Sequence, residues 1–181
     1  MIIALAGRRI DAPDAKAIRF PLKSVDRVRS DLKNFLIETR PVAIVCSGAC
    51  GSDLIALEVA GSLGIQRSMV LPFDKSLFKN TSVTDRPGDW GKLFDKICEE
   101  LTREEKIQER SYPEDDNETY RKTNIDILKR TEALANKYSS KNMMAVVVWE
   151  GKPKDKDDTT KHFMEEAIKR DFIIREIKTI D

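Results

Sequence analysis

Short stretches rich in apolar residues alternate along the chain with longer stretches in which apolar residues recur every three or four positions. The short stretches predict strands and cover residues 2–6, 42–46, 68–71, 143–149 and 172–177. The longer stretches predict amphipathic helices and cover residues 22–38, 53–63, 90–101, 120–138 and 159–168. Strands joined by helices in this way form parallel sheets covered on both faces. The pattern therefore predicts a doubly wound, Rossmann-like α/β fold with a mainly parallel sheet, as a single domain over residues 1–181.

Three polar segments between these elements are predicted to be loops, and they cover residues 8–21, 74–89 and 150–158. Residues 102–118 form the most charged stretch, which we interpret as solvated surface with a short strand around residues 108–112. The predicted inward face of the last helix consists of Phe163, Met164, Ala167 and Ile168. Ligands bind doubly wound sheets at the carboxyl ends of the strands. The loops after residues 6, 46, 71 and 149 are therefore the candidate binding region.

Charge and cysteine content restrict the function classes. Lys and Arg number 32 against 31 Asp and Glu, so the chain lacks the basic excess of a dedicated nucleic-acid-binding protein. An N-terminal apolar run of six residues is too short for a membrane span or a signal sequence, and we expect a cytoplasmic protein. One zinc site would require all three cysteines and His162. We therefore expect no metal site, and no cofactor is indicated.

The second predicted strand leads into a helix through residues 47–53 (SGACGSD). The free amides at a helix start attract anions, and Gly48 and Gly51 would let phosphate oxygens approach the backbone together with Ser47. The alternative is a tight turn in which Ser52 caps the helix. Because a phosphate would repel the Asp53 carboxylate, the ligand role of Asp53 is to accept hydrogen bonds from ribose hydroxyls. A favourable interaction with the helix dipole is the competing interpretation.

Two further groups follow neighbouring strands at the same edge of the sheet. Gly7, Arg8 and Arg9 come after the first strand, and two guanidiniums there suit phosphate recognition, although solvated surface arginines are common. Residues 149–152 (WEGK) end the strongest predicted strand. In one interpretation, a base stacks on the indole of Trp149 and Lys152 lies near a phosphate. In the other, Trp149 is a core residue and Gly151 forms a turn.

Predicted helices supply the remaining candidates. Asn124 lies on the apolar face of its helix, so its amide either binds a ligand or ties down a loop at the edge of the sheet. Thr159 and Thr160 begin the last helix. Capping of the helix is the first interpretation of these residues, and anion binding is the second. Glu165 and Asp53 are weak catalytic candidates, because most helix-surface carboxylates are simply solvated.

Several patterned segments share a family resemblance. They are AGRRIDAP (6–13) with residues 19–21, SGACGSDLIALEVA (47–60), VLPFDKSLFKNTSV (70–83), Trp90, and WEGKPKDKDDTTKHFMEEA (149–167). Together they resemble the bacterial branch of the SLOG superfamily, Rossmann-like domains related to the DNA-processing protein A family and to LOG-type cytokinin-activating phosphoribohydrolases. The resemblance implies a nucleotide or nucleotide-derived ligand such as an ADP-ribose-like molecule, and a sensor role in bacterial defence.

The resemblance also implies a set of ligand-binding positions. These are Gly7, Arg8, Ser47, Gly48, Gly51, Ser52, Asp53, Pro72, Phe73, Gly151 and Thr160. The LOG-type enzymes share a PGGxGTxxE loop, whereas residues 156–160 here read KDDTT and Glu165 lies five residues beyond Thr160. The absence of the glycine pair argues against phosphoribohydrolase catalysis.

The sequence supports three hypotheses. The first is a nucleotide-binding sensor or signalling domain. The second is an enzyme, similar to a phosphoribohydrolase or deoxyribosyltransferase, in which Asp53 or Glu165 stabilises an oxocarbenium-like centre at an N-glycosidic bond. The third is a protein-binding module with a vestigial pocket. We expect a small nucleotide-type ligand, no membrane association and no strong nucleic-acid binding, and we leave a homo-oligomer or a protein partner open.

Overall fold

The computed structural model describes residues 1–114 and 118–180, and the strands of this part of the chain form one six-stranded sheet. The strands are β1 (Ile2–Gly7), β2 (Ala43–Cys46), β3 (Gln66–Leu71), β4 (Ile107–Glu109), β5 (Met143–Trp149) and β6 (Ile173–Lys178). Their order in space is β4-β3-β2-β1-β5-β6, and every neighbouring pair is parallel. Strands β2, β3 and β4 lie on one side of β1, and strands β5 and β6 lie on its other side. The direction of strand addition therefore reverses between β1 and β5.

Helices cover both faces of this sheet. They are α1 (Val25–Thr39), α2 (Ser52–Ser62), α3 (Lys75–Ser82), α4 (Trp90–Arg103), α5 (Thr119–Lys137) and α6 (Thr159–Ile168), and a short 3-10 turn (Leu22–Ser24) precedes α1. On one face, Ile3 and Leu5 of β1 pack with residues of α1, α2, α3 and α4. On the other face, Ile2 and Ala4 pack with residues of α5 and α6. Alternate residues of β1 thus enter different cores, which confirms the predicted doubly wound α/β fold.

Three predictions from the sequence require correction. The predicted loop 74–89 contains α3, which begins because the Asp74 carboxylate accepts hydrogen bonds from the backbone N–H groups of Ser76 and Leu77, both at 3.0 Å. The predicted strand around 108–112 is shorter and earlier, and it forms the edge strand β4. Ile168 is 55% exposed, so its predicted inward position is wrong. Residues 115–117 of the predicted charged stretch lie outside the described residues.

The remaining predicted elements agree closely with the structure. On α6, Phe163 and Ala167 are buried and Met164 packs partly buried against the same core. Across residues 1–114 and 118–180, no helix combines the length and the apolar character that crossing a bilayer requires.

Candidate functional site

A cavity of about 530 Å³ lies at the carboxyl edge of the sheet. Gly7, Ser47 and Pro72, which follow or end β1, β2 and β3, contribute to its wall. The loop after β1, helix α3, the first turns of α5 and the start of α6 complete it. This position, beside the point where the order of the strands reverses, is where doubly wound folds bind ligands, and the volume suits a small organic molecule.

The loop before α2 binds a carboxylate of its own chain. Oδ2 of Asp53 accepts hydrogen bonds from the Ser47 hydroxyl at 2.6 Å and from the N–H groups of Gly48 and Ala49 at 3.1 and 3.3 Å. Burial raises the pKa of Asp53 to about 6, although these hydrogen bonds oppose the rise. The structure therefore corrects the expectation that these amides are free for a phosphate. Asp53 itself lines the cavity.

Several predicted ligand residues hold the loops together and do not line the cavity. The Ser52 hydroxyl donates a hydrogen bond to the Arg8 carbonyl at 2.8 Å, and a Cβ on Gly51 would lie 3.0 Å from that same oxygen. Phe73 is buried against Phe78, with the ring centroids 6.2 Å apart. Ser52, Gly51 and Phe73 thus support the cavity from behind its wall, and Gly48, Gly151 and Lys152 also lie outside the wall.

Arg8 lines the cavity, but its guanidinium is buried in an ion-pair network. Nε donates a hydrogen bond to Glu150 Oε2 at 2.6 Å, and Nη2 lies 2.7 Å from Asp158 Oδ2. The side chain of Arg8 is 3% exposed, and those of Glu150 and Asp158 are fully buried. Arg19 pairs with Glu150 as well. The Arg8 guanidinium, one of the two predicted to recognise a phosphate, therefore binds the loop between β5 and α6.

Asp158 caps helix α6 in addition to binding Arg8. Its Oδ1 accepts a hydrogen bond from the Thr160 N–H at 2.8 Å, and its Oδ2 accepts one from the Lys154 N–H at 2.5 Å. Burial alone would raise the pKa of Asp158, but the Arg8 guanidinium and the backbone N–H groups of Lys154 and Lys161 outweigh it and lower the pKa to about 2. Thr160 lines the cavity, but the first backbone N–H groups of α6 already donate hydrogen bonds to Asp158.

Cations dominate the charged part of the cavity wall. Six cationic residues line the wall, against two carboxylates. The cations are Arg8, Arg9, Lys16, Arg19, Arg86 and Lys154, and the carboxylates are Asp11 and Asp53. Arg9 pairs with Asp85 at 2.8 Å. In the described part of the chain, Lys16 and Lys154 have no carboxylate within ion-pairing distance. Partial burial and the neighbouring Arg8 guanidinium lower the pKa of Lys154. The wall therefore retains uncompensated positive charge.

The structure places the other predicted residues as follows. The Asn124 amide donates a hydrogen bond to the Thr159 carbonyl at 2.8 Å, so it ties α5 to α6 while also lining the cavity. Trp149 is buried under the Arg8 guanidinium, which lies 5.7 Å from its ring centroid, and its indole donates to Glu176. Glu165 lies outside the wall and pairs with Lys161 at 3.3 Å, which removes it as a catalytic candidate for this cavity.

Sequence reasoning did not assign Lys154, Lys16, Arg86 or Tyr120 to the site. Lys154 replaces the predicted Lys152 in the wall, because the backbone around residue 154 turns back to bind Asp158. Tyr120 occupies the first turn of α5, whose starting end faces the cavity. Within residues 1–114 and 118–180, His, Cys, Asp and Glu side chains form no group of three suited to hold a metal ion.

Comparisons with known proteins give distant structural similarity. No protein-family model matches the chain, and no curated protein matches it. The chain is similar to the X-ray structure of DNA processing protein A (DprA) from Streptococcus pneumoniae, with 12% sequence identity and a TM-score of 0.41. The matched region covers 96% of this chain and 57% of that one. The chain thus spans little more than half the length of that protein.

Proposed function

We propose that residues 1–181 form a SLOG-like domain that binds a nucleotide or a nucleotide-derived molecule, such as ADP-ribose, and acts as a sensor. The observation that carries the proposal is the cavity of about 530 Å³ at the reversal point of the sheet, with six cations and two carboxylates in its wall. A wall of this charge favours an anionic ligand. The volume lies within the range of small-ligand sites, roughly 300–1,000 Å³.

Lys154 and Lys16 are the proposed phosphate-binding residues. Both line the cavity, and neither forms an ion pair with a described residue. An anion beside Lys154 would also relieve its repulsion by Arg8, Arg19 and Arg9, the cations that lower its pKa. Arg8 holds the β5–α6 loop in place, and it acts on the ligand through the position of Lys154.

Asp53 is the proposed partner of the ribose. Its carboxylate lies in the wall, and its Oδ2 is held by Ser47 and the following amides. The ionised carboxylate accepts hydrogen bonds from ribose hydroxyls more strongly than the protonated acid does. Because burial raises the pKa of Asp53 to about 6, nucleotide affinity is expected to fall as the pH drops below this value.

Calorimetric titration with AMP, ADP-ribose and NAD tests this proposal, with Lys154→Gln and Lys152→Gln as a matched pair. Each variant removes one lysine from the same loop, but Lys154 lies in the cavity wall and Lys152 outside it. We expect Lys154→Gln to weaken binding about tenfold and Lys152→Gln to leave it within about twofold, since one charge-assisted hydrogen bond contributes about 1.5 kcal/mol. Absence of binding at millimolar ligand would contradict the proposal, as would equal losses in the two variants.

A nucleotide-processing enzyme acting at an N-glycosidic bond is the second candidate function, and Asp53 favours it specifically. Asp53 lies buried in the wall of a ligand-sized cavity, and above its pKa of about 6 it is ionised and can stabilise an oxocarbenium-like centre. Chromatography of AMP, deoxynucleosides and NAD after incubation separates the two functions. Base release that Asp53→Asn abolishes would establish the enzyme, and intact ligand recovered from a binding-competent protein would support the sensor.

A further inference from the structure

The side of the cavity that contains helix α3 differs in chemistry from the side that contains Lys154. Lys154 follows β5, whereas Pro72 and helix α3 follow β3. Strands β3 and β5 are three positions apart in the sheet, or about 14 Å at the usual strand spacing. Around the α3 side, the wall contains Phe78 and Pro72, together with Tyr120, whose hydroxyl lies beside that of Ser82 on α3. This side is therefore largely aromatic and aliphatic.

One charged donor on this side is buried without an acceptor. Nε of Arg86 has no hydrogen-bond partner among the described residues, and Arg86 lines the cavity. Oδ2 of Asp85 lies 3.7 Å from it, which exceeds hydrogen-bonding distance, and the same oxygen accepts from Arg9 Nη1 at 2.8 Å. Buried polar groups almost always have partners, so an exception in a cavity wall indicates where a ligand supplies the acceptor.

Tyr120 provides a flat surface in the same cavity wall as this donor. Its side chain is 38% exposed at the wall, and its hydroxyl lies 3.3 Å from the Ser82 hydroxyl, which fixes the position of the ring edge. A planar ring can stack on an aromatic side chain held in this way. The combination of a stacking surface and a guanidinium donor is the one that proteins use to contact nucleobases, whose edges carry nitrogen and oxygen acceptors.

We propose that Arg86 and Tyr120 bind the base of the ligand, so that the site accepts molecules carrying a planar heteroaromatic ring with a hydrogen-bond acceptor on its edge. The proposal rests on the proposed nucleotide-binding function and assigns an orientation to the ligand. The base lies against α3 and the start of α5, and the phosphate lies about three strands away, beside Lys154. Arg86 is thereby a specificity-determining residue for the base.

Calorimetry with AMP and with ribose 5-phosphate, which lacks the base, tests this assignment. We expect Arg86→Met to weaken AMP binding about tenfold or more and to leave ribose 5-phosphate binding within about twofold, because a buried hydrogen bond from a charged donor is lost. Arg103→Met removes the same charge from an exposed position on α4 and should change neither affinity. Tyr120→Leu should weaken AMP binding, whereas Tyr120→Phe, which keeps the ring, should largely retain it.

The outcomes separate this inference from the proposed function. Loss of both ligands in Arg86→Met at unchanged thermal stability would overturn it, because Arg86 would then bind the phosphate. Equal affinity of the wild-type protein for AMP and ribose 5-phosphate would also overturn it while leaving the anion site intact. If Arg86→Met does not fold, the comparison of Tyr120→Leu with Tyr120→Phe decides. If wild-type protein binds neither ligand, the proposed function and this inference both fail.

Discussion

The helices α2 and α6 both begin at the carboxyl edge of the sheet, and both receive a carboxylate from their own chain. Asp53 accepts hydrogen bonds from the loop that leads into α2, and Asp158 accepts them from the first residues of α6. The pKa values of the two carboxyl groups nevertheless shift in opposite directions. Burial raises the pKa of Asp53 to about 6, whereas the pKa of Asp158 is about 2 despite burial.

Two features account for the difference: Asp158 has a guanidinium beside it, and Asp53 is surrounded more completely by protein. The Arg8 guanidinium lies 2.7 Å from Asp158, and the residues described around Asp53 provide no such ion pair. Backbone N–H donors alone do not compensate for the removal of a carboxylate from water, whereas a buried guanidinium does so. One side of the site is therefore held by a fixed ion-pair network, and the other carries a carboxylate that can change charge near neutral pH.

The largest expected effect on stability comes from the removal of Arg8. Arg8→Met would leave Glu150 and Asp158 buried without their guanidinium, so we expect the free energy of unfolding to fall by about 3–5 kcal/mol. Arg9→Met is the matched control, because the Arg9–Asp85 pair is about one-third exposed and should contribute at most about 1 kcal/mol. Urea unfolding at pH 7 measures both values. Similar losses in the two variants would show that the Arg8 network is not special.

The two loops also differ at their glycines. Gly51 and Gly151 both have positive φ, but a Cβ on Gly51 would lie 3.0 Å from backbone atoms of residues 8 and 10, while one on Gly151 would meet the flexible end of Lys178. We expect Gly51→Ala to reduce the free energy of unfolding by about 2–3 kcal/mol and Gly151→Ala by about 1 kcal/mol. Thermal and urea unfolding of the pair test this, and a larger loss for Gly151→Ala would contradict the described packing.

The smallest expected effects come from titrating the two carboxylates. Asp158 has a folded pKa of about 2 against a usual 3.8, so the stability it contributes is complete above about pH 4 and declines toward pH 2. Asp53 has a folded pKa of about 6 against 3.8, so its charge opposes folding above pH 6, and this penalty is absent below about pH 4.

Substitution by asparagine isolates these opposite contributions. Relative to wild type at pH 7, we expect Asp53→Asn to be more stable and Asp158→Asn less stable, each by up to about 2 kcal/mol. The first difference should disappear near pH 4 and the second near pH 2. Urea unfolding at pH 7, 4 and 2.5 measures both profiles. A change of the same sign in both variants at pH 7 would refute the role assigned to Arg8.

The fold could be predicted where burial imposes a pattern on the sequence. Strands β1, β2, β3 and β5 have core residues on both faces, so continuous apolar runs mark them. Strand β4 lies at an edge with little buried side-chain area, and its pattern is correspondingly weak. Helix α3 has only eight residues, and its signal was the cap at Asp74.

The site could be predicted in location and only partly in detail. The sequence places Gly7, Ser47 and Pro72 at strand ends and Asp53 at the start of the following helix, and all four line the cavity. The acceptors of Arg8 lie 142 and 150 residues away in the chain, and no local pattern indicates such partners. The expectation of a free guanidinium failed for that reason. The ligand and its turnover remain predictions, since the contacts described here are those of the chain with itself.

The span of the Arg8 network has a consequence for the order in which the protein assembles during synthesis. Strand β1 pairs with β5, and the paired residues run from Ile2–Met143 to Gly7–Val148. About 140 further residues must therefore be translated after β1 before this pairing can form. At typical rates of about 5–20 residues per second, this delay is on the order of ten seconds. Until then Arg8 has neither Glu150 nor Asp158, and the nascent chain presents a partial sheet whose cavity lacks the side containing Lys154. The complete cavity wall therefore forms only after β5 and the loop that follows it are in place.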